Sequence, residues 1–388
     1  MLRKVLFQIH LWSGLILALP FLVLGITGAF LVFDQDIDRA LNPLKPPIAS
    51  VGNVQSYDAI TAAGLTGAKG VRVATVIAPE KPGAPAQVRL QKQGGGRAGG
   101  PPAREQTTAW VDPVDLSLLR VDPPRVSPFR WVHQLHGSFL IEGGLGRPLV
   151  GWAGVAMFIM GLSGLVLWWP KRGRWLSAFG IAKNARGYRF HRDLHGAAGI
   201  WLWAAFVAVT FTGVYISFPQ SMGPAVSSVL PGRDLRATPE LPGAKREGGG
   251  MKLSFDAIYA AAHKAVPDGS LVSIAAPARP GQVARVSLTQ PGWHEGAPSI
   301  TVFVNPETAE VMDVRDPRKF SVGESIQAWQ RPLHEGIGLG IVWKILAFMT
   351  GLLPPLFVIT GTYMWLVKRN NKRRAKADAP ADAALEDA

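Results

Sequence analysis

A chain of 388 residues with 48% hydrophobic and only 18% charged side chains is too apolar for an ordinary soluble protein of two or three domains. It contains no cysteine, which excludes disulfides, iron–sulfur clusters, thiolate zinc sites and covalently attached c-type haem. Its net charge of +14 raises nucleic acid as a partner, so the placement of that charge has to be read first.

The first apolar run is Leu11–Phe33. Arg3 and Lys4 precede it as they would a signal peptide, but its length exceeds a signal core and no small-residue cleavage site follows. Residues 1–33 therefore read as a retained first span. Asp34, Asp36 and Asp38 come next; such carboxylates attract iron in principle, but at the end of a span they read as a stop signal. Residues 34–148 then carry a helix over 56–64 and alternating segments at Val71–Ile77, Gln87–Gln91, Thr107–Val111 and Leu116–Val121, with a Gly-rich loop at Gly94–Pro102. That is a small α+β module.

A second span occupies 149–169, a basic loop 170–195 and a third span 196–218. Residues 219–344 again read as helix then strands: 254–265, then Leu271–Ala275, Ala284–Thr289, Ile300–Val304 and Glu310–Val314, with a second Gly-rich loop at Gly243–Gly250. A fourth span, 345–367, leads to the tail 368–388. At about 1.5 Å per residue each span reaches roughly 32–35 Å, enough for a hydrocarbon core of about 30 Å. No span carries a charge or an evident break near its centre.

The basic residues fall on one side of these spans. The start, the 170–195 loop and the tail hold fifteen basic residues against five acidic ones. By the positive-inside rule these short segments and both termini lie in the cytoplasm, and the two modules face outward. The charge is thus a topology signal facing a lipid bilayer, and nucleic acid is not a partner.

The chain is also written twice. Ser56-Tyr57-Asp58-Ala59-Ile60 recurs as Ser254-Phe255-Asp256-Ala257-Ile258, and Ala78-Pro79, Trp131 and Leu135-His136 recur as Ala276-Pro277, Trp329 and Leu333-His334, all 198 residues on. His10, Gly14, Thr27, Gly28 and Phe33 recur as His195, Gly199, Thr212, Gly213 and Phe218, 185 residues on. The expected fold is an α-helical integral membrane protein: a four-helix transmembrane bundle built from an internal parallel repeat, its pseudo-twofold axis along the membrane normal, with two α+β modules outside.

Six of the eight histidines lie near a span boundary, and the repeat sorts them. His10 pairs with His195 and His136 with His334, whereas His133 aligns with Arg331 and His191 with Leu6. A lone histidine at a bilayer edge is ordinarily an anchor. Two repeat-matched pairs facing each other across an axis suit a six-coordinate haem iron, and the glycines Gly14, Gly199, Gly137 and Gly336 beside them would admit a flat macrocycle. His133 and His191 share a helix face with His136 and His195 and stand as additional or replacement ligands. His263 and His294 read as surface residues. Trp168, Trp169, Trp201, Trp203 and Trp365 read as interface belt, and Gly25, Gly28, Gly161, Gly164, Gly351 and Gly361 as close helix packing.

The run His10-Leu11-Trp12-Ser13-Gly14 through Thr27-Gly28, the motifs Leu135-His136-Gly137 and Leu333-His334-Glu335-Gly336, and the exit Trp168-Trp169-Pro170-Lys171 resemble the PepSY-associated transmembrane family of iron-regulated membrane proteins. The likeness covers nearly the whole chain, and in length and four-span layout it is to the ferrioxamine-reductase members. That resemblance implies a protein of the bacterial inner membrane in siderophore uptake, with PepSY-like periplasmic modules. It implies two b-type haems stacked across the membrane and reduction of ferric siderophore in the periplasm, releasing Fe(II). At the matching positions it gives His10 with His195 as axial ligands of the inner haem iron and His136 with His334 as those of the outer one, with the part of His133 and His191 open.

The electron donor is not in the chain. The 26-residue cytoplasmic loop is too short for a nucleotide-binding domain, and Gly336-x-Gly338-x-Gly340 precedes a span, not the helix of a strand–turn–helix unit. A quinol, a cytoplasmic flavin reductase or another membrane partner must supply electrons. Two other readings compete: a permease for intact siderophore or haem, and a non-enzymatic PepSY partner of another envelope protein. Against the permease, no span is broken near its middle and none carries a charge there, whereas transporter sites usually show both.

Overall fold

The computed structural model describes residues 1–42, 45–92, 106–124, 127–241, 254–279, 281–289 and 292–377. The two Gly-rich loops expected at Gly94–Pro102 and Gly243–Gly250 lie outside the described residues. Helices run α1 (Leu2–Ile16), α2 (Ala18–Leu31), α3 (Asp34–Leu41), α4 (Tyr57–Leu65), α5 (Arg130–Ser138), α6 (Gly146–Trp168), α7 (Trp175–Ala178), α8 (Gly187–Trp201), α9 (Trp203–Ser217), α10 (Pro219–Val229), α11 (Phe255–Ala265), α12 (Val322–Glu335) and α13 (Gly340–Ala377). Strands are β1 (Val71–Ile77), β2 (Ala86–Lys92), β3 (Thr107–Val111), β4 (Leu118–Asp122), β5 (Ser270–Ala275), β6 (Ala284–Thr289), β7 (Ile300–Val304) and β8 (Val311–Arg315). The chain divides into two compact units.

One unit comprises Asp38–Pro128 and Gly223–Trp329. Here the expectation of two separate α+β modules is corrected: all eight strands form one antiparallel sheet, in the order β4-β3-β2-β1-β5-β6-β7-β8. The reason is the edge. A four-stranded meander ending in β1 or β5 would leave a row of unpaired backbone groups, and these two edges satisfy each other. Val76 pairs with Ile274, its counterpart 198 residues on, and both side chains are fully buried. A bulge interrupts β1 at Val73/Thr75 and β5 at Leu271/Ser273, again 198 residues apart. Every second residue of β2 (Ala86, Val88, Leu90) is buried, the period of a sheet with one face on a core. Helices α4 and α11 cover that face through Ile60 and Ile258. Ser56 and Ser254 cap these helices. The Asp58 carboxylate also accepts from Phe255 N–H and the Ser254 hydroxyl, and Asp256 from Tyr57 and Asp58 N–H, so each helix caps the other. Burial of the Tyr57 phenol at this junction, beside Tyr259 and Asp256, pushes its pKa up to about 12.

The other unit comprises Met1–Ile37, Phe129–Met222 and Gln330–Ala388. It takes in α5 and the end of α12, so the segments bearing His136 and His334 group with the apolar helices. Two helices, α6 and the stretch Gly340–Ala375 of α13, are long and apolar enough to cross a membrane. The other two expected spans are not single helices. Each is a bent pair, α1 with α2 at 71° and α8 with α9 at 69°, broken at Leu17 and Leu202. This corrects the expectation of single straight helices; the breaks fall at the seventh residue of the expected spans 11–33 and 196–218, to one side of their centres. Hydropathy counts apolar residues but not their direction, and both breaks fall on leucine. The helices meet closely where side chains are small: a Cβ at Gly351 would stand 2.7 Å from Ala29 N, and one at Gly25 2.7 Å from Gly351 O.

Candidate metal centre: two facing histidine pairs

The four repeat-matched histidines come from four helices and meet in two pairs. His10 of α1 faces His195 of α8 with ring centres 6.5 Å apart and planes at 66°. His136 of α5 faces His334 of α12 at 6.1 Å and 45°. With metal–nitrogen bonds of about 2 Å and about 1.1 Å from ring nitrogen to ring centre, two imidazoles on opposite sides of one ion have centres about 6 Å apart. Both pairs fit.

Each imidazole is held from behind by a hydroxyl on an apolar helix. His10 Nδ1 lies 2.9 Å from Ser163 Oγ of α6, and His195 Nδ1 2.8 Å from Thr360 Oγ1 of α13. His136 Nδ1 lies 3.0 Å from Thr27 Oγ1 of α2, and His334 Nδ1 3.1 Å from Thr212 Oγ1 of α9. The residue after each hydroxyl is glycine, and it is against this glycine that the ring rests. A Cβ would meet the histidine Cε1 at 3.1 Å from Gly28, 2.9 Å from Gly213, 3.6 Å from Gly164 and 4.0 Å from Gly361. These four glycines make room for the imidazole rings themselves. The signal was present in the sequence, as a Ser/Thr-Gly step in each of the four apolar runs, but only Thr27-Gly28 and Thr212-Gly213 stood out as repeat matches.

The two pairs lie at different levels. On α6, Gly154 packs on Val214 beside the step that holds His334, and Ser163 holds His10. On α13, Gly351 packs on Ala29 beside the step that faces His136, and Thr360 holds His195. Either way about nine residues, roughly 13 Å of helix, separate the levels.

His133 and His191 do something else. Half-exposed His133 bonds through Nε2 to the buried carboxylate of Asp34 at 2.6 Å. Asp36 of the same acidic run pairs with Lys344. His191 stacks on Tyr363 with ring centres 3.9 Å apart, and its Nδ1 donates to Gly187 O. Neither faces a second imidazole among the described residues. His263 and His294 are exposed in the sheet-bearing unit. Among the described residues no group of three or more His, Asp or Glu stands ready for a bare metal ion. Two imidazoles alone suit a metal whose other positions are filled by its own macrocycle.

Residues 7–368 match the family described as PepSY-associated TM region. The chain belongs to that family. With its apolar helices, it is a membrane protein. Comparison with curated proteins gives no match. The matched stretch contains all four paired histidines and their Ser/Thr-Gly steps, so the two levels are part of the PepSY-associated region itself.

Proposed function

We propose that this protein is a di-haem reductase of the bacterial inner membrane, similar to the ferrioxamine-reductase members of its family. In this reading His10 with His195, and His136 with His334, would hold the irons of two b-type haems. The observation that carries it is the pair of imidazole-facing-imidazole levels, each at single-metal spacing and each without a third protein ligand among the described residues. Bound there, the haems would supply a one-electron relay. The chain's own part is to fix four imidazoles on four helices, exclude side chains with Gly28, Gly164, Gly213 and Gly361, and keep the two levels about 13 Å apart.

The internal repeat, with its axis along the membrane normal, both termini in the cytoplasm and the sheet-bearing unit in the periplasm, belongs to the same proposal. The basic loops support this orientation. A quinol or cytoplasmic reductase gives electrons on the inner side. The acceptor is a ferric hydroxamate siderophore: one electron converts Fe(III) to Fe(II), whose lower charge weakens its hold on the same hard oxygens and frees the ion. The test is direct. Full-length protein purified in detergent should be red, carry two b-type haems per chain and, once reduced, convert ferric hydroxamate to ferrous ion trapped by a colorimetric chelator. Haem-free protein, or haem protein that leaves ferric chelate untouched, ends the proposal.

The breaks at Leu17 and Leu202 favour a second reading, a permease for intact siderophore or haem, because broken helices line transporter sites. Colourless protein that binds the ferric chelate without reducing it decides for that reading.

A further inference from the structure

We propose that Thr27, Ser163, Thr212 and Thr360 are positioning residues that fix the tautomer of the four histidines, so that every Nε2 presents a lone pair to its level. The inference rests on the haem reading for its purpose but not for its geometry. A hydroxyl has one hydrogen, and all four spend it on their own helix. Thr27 donates to Val23 O at 2.5 Å, Ser163 to Met160 O at 3.1 Å, Thr212 to Val209 O at 2.8 Å and Thr360 to Leu356 O at 2.7 Å. What each hydroxyl then offers the imidazole is a lone pair, so Nδ1 must carry the proton and donate it. At two sites a second acceptor points the same way: Val209 O lies 3.0 Å from His334 Nδ1, the Leu24 backbone carbonyl bonds the His136 ring, and a carbonyl can only accept.

With Nδ1 protonated, neutral imidazole has its unprotonated nitrogen at Nε2. The opposite assignment would leave two Nε2–H groups facing each other at each level, where neither could bind a metal. A ring that donates its far N–H is also a stronger electron donor at its near nitrogen, which favours the ferric state of a bound haem. Glycine after each hydroxyl lets the ring approach the helix that holds it. The step therefore does two things at once, a fixed proton and a flat seat.

The levels differ in how much depends on the hydroxyl. His334 keeps the Val209 carbonyl if Thr212 is lost, whereas among the described residues no carbonyl backs Thr360 at His195. Thr360→Val should therefore perturb its haem more than Thr212→Val does, and Thr360→Ser should restore wild-type behaviour. The measurement is a spectroelectrochemical titration of full-length protein in detergent, with 15N spectra of histidine-labelled chain as a second readout. Expected for Thr360→Val are a rise of one midpoint only, by about 59 mV if ferric preference falls tenfold, and haem retention weaker by roughly 10- to 100-fold at that level. The 15N spectra should show protonated Nδ1 at the four paired histidines.

Wild-type protein that holds both haems while Thr360→Val leaves potentials and 15N shifts unchanged overturns the positioning role and leaves the haem reading intact. If wild-type protein holds no haem, the haem reading fails by itself and the 15N spectra still decide the tautomer. Protonated Nε2 would overturn the inference, and protonated Nδ1 would sustain it.

Discussion

If the two histidine levels hold the proposed haems, removing one imidazole should cost one haem and leave the other alone. Consider His334→Ala. The groups around His334 are Thr212, Val209 and Gly213, while His10 is held by Ser163 and Gly164 and His195 by Thr360 and Gly361. Among the described residues none of these groups serves both levels. Their separation of about 13 Å exceeds the roughly 7–10 Å within which substitutions couple. The low-spin, six-coordinate content should therefore fall from two haems per chain to one. His136→Ala should give the same loss, and the double variant His136→Ala/His334→Ala should lose no more than either alone. His195→Ala/His334→Ala should lose both. The assay is the reduced-minus-oxidised spectrum calibrated by pyridine haemochromogen per mole of chain. A single substitution that costs half of each haem, or a same-level double that falls below its singles, would refute the pairing.

Other outcomes follow from packing and charge. Gly351→Ala places a Cβ 2.7 Å from the backbone nitrogen of Ala29, so α2 and α13 must part; this should cost about 1–3 kcal/mol and lower the melting temperature in detergent. Asp256→Ala removes the acceptor for Tyr57 and Asp58 N–H at the start of α4, a loss of about 0.5–2 kcal/mol visible as faster hydrogen exchange in the first turn of α4. In the same unit, burial alone would raise the pKa of Asp112, but Val114 and Ser50 N–H groups bonded to its carboxylate hold it below the usual aspartate range. A depressed native pKa stabilises fully above the ordinary aspartate range and loses that contribution as pH falls through the lowered value. Acid unfolding of the sheet should thus begin at a higher pH, and lose part of its steepness, in Asp112→Asn.

How much of this was legible in the residues depends on what each feature is made of. Strand positions such as Val71–Ile77 and Ala284–Thr289 were readable because one sheet face is buried and alternation follows from that. The pairing of His10 with His195 and of His136 with His334 was readable because a duplicated sequence carries its own alignment, and the facing rings at 6.5 Å and 6.1 Å follow it. The fused sheet was not readable: whether β1 and β5 pair or stay apart is decided by two edges meeting in space, and alternation is the same either way. Nor were the hydroxyl seats of Ser163 and Thr360, since a hydroxyl that bonds its own helix is common in an apolar run and says nothing of what its lone pair holds. The carboxylate of Asp34 stands just past α2 and opens α3, where a stop signal belongs; its burial against His133 was not readable, because a charge after a span says nothing of its partner.

The bend between α1 and α2 invites a false explanation. Pro20 is the third residue of α2, lacks an N–H and would crowd the carbonyl of Ile16, so it is the natural culprit for a break at Leu17. Its repeat counterpart, however, is Ala205, and the second pair bends by 69° against 71° with no proline at all. The two junctions share backbone angles, φ −94°, ψ 14° at Leu17 and φ −106°, ψ 7° at Leu202. In both, the new helix restarts with an amide bonding the junction leucine, Phe21 to Leu17 and Phe206 to Leu202. What they also share is glycine three residues before the break, Gly14 and Gly199, and a histidine seven residues before it. Restoring an amide with Pro20→Ala should then leave the bend in place. The expected cost is about 0.4–1 kcal/mol from a looser unfolded chain, with the low-spin signal of the His10–His195 level unchanged. If Pro20→Ala instead abolished that signal while sparing the His136–His334 level, proline would be what turns α1 toward its partner, and the likeness of the two junctions would be coincidence.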